Sequence, residues 1–183
     1  QRKLTVNLPP DVELSAITIS RGVGDLDVKG VSAGRLAVTD GVGDLTMINV
    51  RTNDLSLSGG VGDCTLTDLI CVGDVDITRG MGDVELIRTD ITGNLTVSGG
   101  TGDFDLEGSV KGDISIDVGV GDCDLELIGN RDDYYFTLNK GVGDIDIDDV
   151  NISSKQKTYG KVGAPYTIDI RGGVGEVDVE FVR

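Results

Sequence analysis

A chain of 183 residues with 32 Asp and Glu against 16 Lys and Arg carries a formal net charge of −16, which argues against nucleic-acid backbones and anionic membrane surfaces as partners. It contains no His, so the commonest general base and the commonest transition-metal ligand are both missing. Three Cys are too few, and odd in number, for a disulfide framework; no run is long enough to span a bilayer and no signal peptide is visible.

The chain begins Gln1-Arg2 without Met, which reads as a fragment of a longer chain whose anchor or export signal lies in the missing part. Leu4, Val6 and Leu8 alternate and give a first strand, stopped by Pro9-Pro10. Ile17 and Ile19 alternate next and lead into Gly22-Val23-Gly24-Asp25, after which Leu26 and Val28 alternate again. The same unit returns at Gly41, Gly60, Gly80, Gly100, Gly119, Gly141 and Gly173, in steps of 19, 19, 20, 20, 19, 22 and 32 residues. A period near twenty is too short for a helix pair and fits one coil of a β-solenoid. The eight units use 16 of the 28 glycines, so glycine here is turn chemistry and not linker composition.

Each coil has two strands. On face A, after the turn, the inward file is Leu26, Leu45, Cys64, Val84, Phe104, Cys123, Ile145 and Val177, with a second file two residues on. On face B, before the turn, it is Ile17, Leu36, Leu55, Val75, Leu95, Ile114, Phe136 and Ile168, again with a second file two residues on. Every member is apolar or Cys, and period-two alternation in every unit is the mark of strands with one buried face. The expected fold is all-β: one domain over 1–183, a single right-handed parallel β-solenoid with 19–20 residues and two strands per coil and about eight coils.

The two corners differ. From face B to face A the step is nine residues in all eight units, a fixed arc; from A to B it runs 10, 10, 11, 11, 10, 13 and 23, a variable edge. Between the paired glycines of the arc stand Val23, Val42, Val61, Met81, Thr101, Val120, Val142 and Val174. This column is expected to point inward and plug the corner; the alternative is an exposed apolar stripe. A second corner column is Val31, Val50, Leu69, Ile91, Val110, Ile128 and Val150. The segment 151–165 is a polar, basic insertion in the last coil, a flexible loop or end cap, with a partner-contact loop as the other reading. Asn130 to Tyr135 forms a smaller bulge on the same edge, and Tyr134 or Tyr135 should be exposed.

The repeated Gly-Val-Gly-Asp, the opening Leu4-Thr5-Val6-Asn7-Leu8-Pro9 and the closing Gly173-Val174-Gly175-Glu176-Val177-Asp178-Val179 resemble a bacterial family of adhesin-like β-strand repeat domains of unknown function. The resemblance covers essentially the whole chain. It implies a parallel β-solenoid, often attached to an amino-terminal membrane segment. It supplies no catalytic residues.

Acids are the only repeated chemical feature. The first outward file of face A is Asp25, Asp44, Asp63, Asp83, Asp103, Asp122, Asp144 and Glu176. Coils stack about 4.8 Å apart, so neighbouring carboxylates repel by roughly 1 kcal/mol in water. Calcium shared between coils would offset this, and Asp103, Asp105, Asp122, Asp124, Asp144 and Asp146 are the candidate ligands, six acids on three coils. The competing reading is that the first Asp of each unit accepts backbone N–H groups of the turn. Cys64 and Cys123 sit three coils apart in one file, about 14 Å, too far for a disulfide, and all three Cys read as structural.

No singular cluster breaks the repeat, as an active site should, so no catalytic residue and no cofactor other than calcium is expected. The leading expectation is a non-enzymatic structural or binding module of the cell envelope or cell exterior, tethered by a segment absent here, with a protein or glycan partner; a cytoplasmic place stays open. One rival is a self-assembling scaffold, a homo-oligomer pairing end to end through the strand around Val177 and Val179 and the strand at Leu4 and Val6. The other is a glycan-active enzyme.

Overall fold

The computed structural model describes residues 12–152 and 157–182. The strand expected at Leu4, Val6 and Leu8 lies outside the described residues. In chain order the strands are β1 (Glu13–Ser20), β2 (Leu26–Thr39), β3 (Leu45–Val61), β4 (Cys64–Cys71), β5 (Val75–Met81), β6 (Val84–Ile91), β7 (Leu95–Thr101) and β8 (Phe104–Val110). Then follow β9 (Ile114–Val120), β10 (Cys123–Ile128), β11 (Tyr134–Val142), β12 (Ile145–Ile147), β13 (Val150–Asn151), β14 (Thr158–Gly160), β15 (Tyr166–Val174) and β16 (Val177–Val182). No α-helix occurs among the described residues, so none is long and apolar enough to cross a membrane.

The chain is a parallel β-solenoid. Pairing on face A runs β2-β3-β4-β6-β8-β10, all parallel, and Leu26, Leu45, Cys64, Val84, Phe104 and Cys123 fall in one register. Pairing on face B runs β1-β2-β3-β5-β7-β9, with Ile17, Leu36, Leu55, Val75, Leu95 and Ile114 aligned. The two faces meet in a core of Val, Ile and Leu, with Phe104 and Phe136 among its largest fully buried side chains. Burying such residues stabilises the coil by about 1.5–3 kcal/mol each. At the first coil Ile17, Ile19 and Leu26 are only partly buried.

The order of the last two coils corrects the sequence expectation. The eighth unit does not stack on the seventh from outside: β16 lies between β10 and β12, with Cys123 opposite Val177 and Val177 opposite Ile145. On the other face β15 lies between β9 and β11, with Ile114 opposite Ile168 and Ile168 opposite Phe136. The long steps of 22 and 32 residues explain how. Skipping a rung and returning to fill it needs extra chain, and those two A-to-B connections supply it. A packed reason also exists: Phe181 of the inserted strand sits 5.4 Å from the Tyr134 ring and 6.2 Å from the Phe136 ring, and Tyr166 sits 5.6 Å from Tyr134. Six of the chain's seven Phe and Tyr fall between residues 134 and 181, so aromatic packing wedges the eighth unit against the seventh.

Val177 and Val179 are therefore interior strand residues and not an open edge, which removes the end-to-end pairing expected through them. The outermost rung on that side, the seventh unit, is itself covered: β13 pairs antiparallel with β12 and β14 antiparallel with β11. Thus the 151–165 insertion acts as a cap where it is described, burying Ile152 and packing Tyr159 on Phe136. Covering an edge strand in this way blocks adventitious pairing. Tyr134 is buried, its hydroxyl donating to the Val110 carbonyl, and Tyr135 is half-buried, so neither is fully exposed.

Candidate functional site

The fixed edge is built from glycine, for two separate reasons. The second glycine of each turn has positive φ, from 119° at Gly24 to 147° at Gly121 and Gly175, with Gly102 at 142° between them. L-residues with a Cβ avoid that region. The first glycine is needed for close approach: a Cβ on Gly41 would lie 2.2 Å from the Gly22 carbonyl oxygen, and one on Gly60 2.5 Å from that of Gly41. The rungs are stacked backbone on backbone.

The column between the glycines points outward, against the expectation that it plugs the corner. Val23 is 83% exposed, Val142 65%, Met81 53%, and Val61, the most covered of the apolar members, 41%. Val42, Thr101, Val120 and Val174 are exposed as well. Parity explains this. Inward positions on face B are two apart, as at Leu36 and Val38, so the next inward residue is Asp40. Nine residues separate Leu36 from Leu45, an odd number, so the turn must reverse the alternation once. The file at Asp40 fills the corner and the valine is left on the convex side.

That corner file is Arg21, Asp40, Gly59 and Arg79, and sequence reasoning missed it. Arg79 Nη1 donates to Asp40 Oδ1 at 2.8 Å and Oδ2 at 2.9 Å, both side chains being 2% exposed. Arg79 Nη2 also donates to the Gly62 carbonyl, and Arg21 Nη2 to Asp40 Oδ2 at 3.1 Å. A Cβ on Gly59 would come within 2.1 Å of both Arg79 and Asp40, so this glycine makes room for the pair. The signal was available: charged residues stand where the inward alternation of face B extends by one more step.

Next to the apolar ridge runs the first acid file. Its carboxylates form a ladder: Oδ1 of Asp25, Asp44, Asp63, Asp83, Asp103 and Asp122 each accepts the backbone N–H of the equivalent acid one rung on, at 2.7–3.3 Å. These acids do accept backbone N–H groups, but from the equivalent acid of the next coil and not from the glycines of the turn. An equivalent ladder at the variable edge went unnoticed in the sequence. There Asp74 Oδ1 accepts from Asn94 N, Asn94 Oδ1 from Asp113 N and Asp113 Oδ1 from Thr167 N, at 2.8–2.9 Å.

The inserted eighth unit also rearranges the calcium candidates. Asp103 and Asp105 neighbour Asp122 and Asp124 as expected, but Glu176 and Asp178 stand between that rung and Asp144 and Asp146. The six do not form one contiguous set, and among the described residues no group of three or more Cys, Asp or Glu converges as a metal centre. Instead Glu85, Asp105, Asp124, Asp178, Glu107 and Glu126 line a shallow open groove of about 330 Å³ on face A. Partial burial, then the charge of Asp124 and Glu85, raises the Asp105 carboxyl above its usual range. Partial burial, then Asp178 and Asp122, does the same to Asp124.

At the variable edge the expected column splits. Val50 and Leu69 are buried in one file, while Ile91 and Val110 align with Ala33, Thr52 and Cys71 in a second buried file. Ile128 and Val150 are exposed, since the chain leaves the coil there for the bulge and the cap. The three Cys are buried thiols. Burial pushes the Cys64 thiol up to about 12 and the Cys71 thiol up to about 11, far from the thiolate that nucleophilic chemistry needs.

Residues 1–180 match the family model described as Toastrack DUF4097. No curated protein and no solved structure matches the chain.

Proposed function

The chain belongs to the Toastrack DUF4097 family, a domain of unknown function, and from that premise we propose that it is a non-enzymatic binding module, a stiff rod that presents one edge to a partner. We place it at the cell envelope or cell exterior, in an adhesive or structural role, with a protein or glycan as partner. The resemblance of its repeats to adhesin-like domains supports that placement. The single observation that carries the binding reading is the apolar ridge along the fixed edge, exposed in every rung. Contiguous apolar surface of that length marks interaction sites far more often than bare surface. A rod stapled by backbone ladders suits presentation, because its surface is rigid before the partner arrives.

The test is adsorption of labelled protein to the cells it comes from. The variant Val61→Asp/Val120→Asp keeps its fold, since both side chains face outward, and is expected to lose more than nine-tenths of the adsorbed label. Equal adsorption by the variant removes the reading. A polysaccharide hydrolysis screen is expected to release no reducing ends; release in proportion to protein concentration would replace the binding module with a glycan-active enzyme.

A further inference from the structure

The fixed edge carries more chemistry than its fold requires. A ladder of this kind needs only a side-chain oxygen to accept the N–H one rung on, and Asn94 performs that task at the opposite edge without charge. Yet the fixed-edge file holds an acid in every one of the eight units, all exposed, stacked like charge on like charge. The adjoining ridge is apolar in seven units of eight, with Thr101 the exception, although no packing inside the rod uses it. On the ridge's other flank the file runs Ser20, Thr39, Ser58, Thr78 and Ser98, neutral hydroxyls, and then Asp117, Arg171 and Asn139, where one acid stands beside one base. The edge is therefore an apolar line with an unbroken file of negative charge along one side only.

We propose that this edge docks a cationic amphipathic helix of another protein, laid along the rod axis with its apolar seam on the ridge and one row of Lys or Arg over the acid ladder. The proposal deepens the binding-module reading and rests on it. Spacing selects the helix. Rungs repeat about every 4.8 Å, and a helix turn advances about 5.4 Å, so contacts stay in step over several rungs. An extended strand returns a side chain to the same face only every 6.7 Å or so, and drifts by nearly half a rung at the first step. Eight rungs span about 34 Å, the length of a helix of about 22 residues. Charge selects against the other occupants: a second copy would bring acid file near acid file at a net −16 each, and an anionic lipid surface would be repelled as well.

The probe is a fluorescent 14-residue peptide of Leu and Lys with the leucines at helical spacing, followed by anisotropy. It is compared with an isomer of strictly alternating Leu and Lys and with a helical Leu/Glu peptide. The helical Leu/Lys peptide is expected to bind, with affinity falling as salt rises. Val42→Thr/Val61→Thr/Val120→Thr copies the Thr that one rung already holds and is expected to weaken binding about tenfold. Asp63→Asn/Asp83→Asn/Asp103→Asn keeps the ladder acceptor, removes three charges, and is expected to weaken binding about tenfold and flatten the salt dependence. Both variants should melt within a few degrees of the parent. Equal binding of the alternating or Leu/Glu peptide, or full binding by either variant, overturns the proposal, as does dimerisation through the ridge in sedimentation or binding to phosphatidylglycerol vesicles. If the peptide fails while ridge-dependent adsorption to cells persists, the helix is wrong and the binding module stands; if both fail, both fall.

Discussion

The two edges of the rod solve one problem with different proportions of backbone and side-chain contact. At the fixed edge the backbone itself is the constraint: paired glycines stack carbonyl over carbonyl, the step is nine residues in every unit, and the apolar side chains face out. The corner interior is sealed by an ion pair, Asp40 with Arg79. At the variable edge side chains carry more of the constraint, beside a shorter glycine stack at Gly73, Gly93 and Gly112. Two files, apolar except for the buried Thr52, fill the corner, and the chain bends through positive φ at Asn49, Asp68 and Arg88, residues that carry a Cβ. Arg88 holds its strained turn with a paired hydrogen bond to Asp68, at 2.8 and 3.1 Å. Where packing does the holding, length can vary, and it does. Where main-chain contact does the holding, length is fixed and the side chains are released for other work.

Removing Asp40 should break the contrast most. Asp40→Ala leaves a buried guanidinium without its carboxylate and is expected to cost about 3–5 kcal/mol in urea denaturation. Joint replacement as Asp40→Leu with Arg79→Met and Arg21→Met, which removes both guanidinium partners of Asp40, should recover most of that loss, and a single-variant loss under about 1 kcal/mol would mean the pair seals nothing. Next come the apolar columns. Leu69→Ala, at a buried site on the variable edge, should cost about 3 kcal/mol, and Val61→Ala, on the fixed edge, less than about 1 kcal/mol. Equal losses would erase the difference between the edges.

Glycine gives a sharper comparison within the fixed edge. Gly41→Ala drives a methyl into the Gly22 carbonyl and should cost about 2 kcal/mol, whereas Gly22→Ala, with nothing within 4 Å of the new Cβ, should be near neutral. Calorimetric melting of the two variants distinguishes them.

The smallest effect is electrostatic and has opposite signs in two places. Asp105 and Asp124 have raised carboxyl pKa values, so the folded state binds their protons more tightly than the unfolded state. Their contribution to stability is lost as pH rises through the raised pKa and regained on acidification. Asp68, lowered by its hydrogen bond to Arg88, contributes above the unfolded carboxylate pKa and loses its contribution as pH falls through the folded one. Asp105→Asn with Asp124→Asn should therefore stabilise at neutral pH, by well under about 1 kcal/mol after solvent screening, and remove the rise in melting temperature that these two carboxyls contribute on acidification. Arg88→Met should steepen nothing on the groove and remove only the Asp68 component.

Most of the architecture was legible because a repeat states its own registers. Leu26, Leu45, Cys64 and Val84 align as their spacing requires, and the invariant nine-residue arc announced a turn held by backbone. Two features stayed hidden. The outward valines required counting parity through the turn, and Arg21, Asp40 and Arg79 were overlooked because charges are not sought in a core. The order of the last two rungs was ambiguous in principle: steps of 22 and 32 residues suit surface loops as well as a skipped rung. The strand pairings show the skipped rung, and the aromatic contacts of Phe181 and Tyr166 with Tyr134 pack it in place.

The interposed rung has a consequence for biosynthesis. Because β15 and β16 occupy a place between strands made before them, the nascent chain carries a slot one rung wide, flanked by β10 and β12 on one face and by β9 and β11 on the other. Until the later residues emerge from the ribosome, four strand borders stand unpaired, the form in which neighbouring nascent chains cross-pair. The eighth unit is thus a keystone, and deleting it would open the rod between its sixth and seventh units.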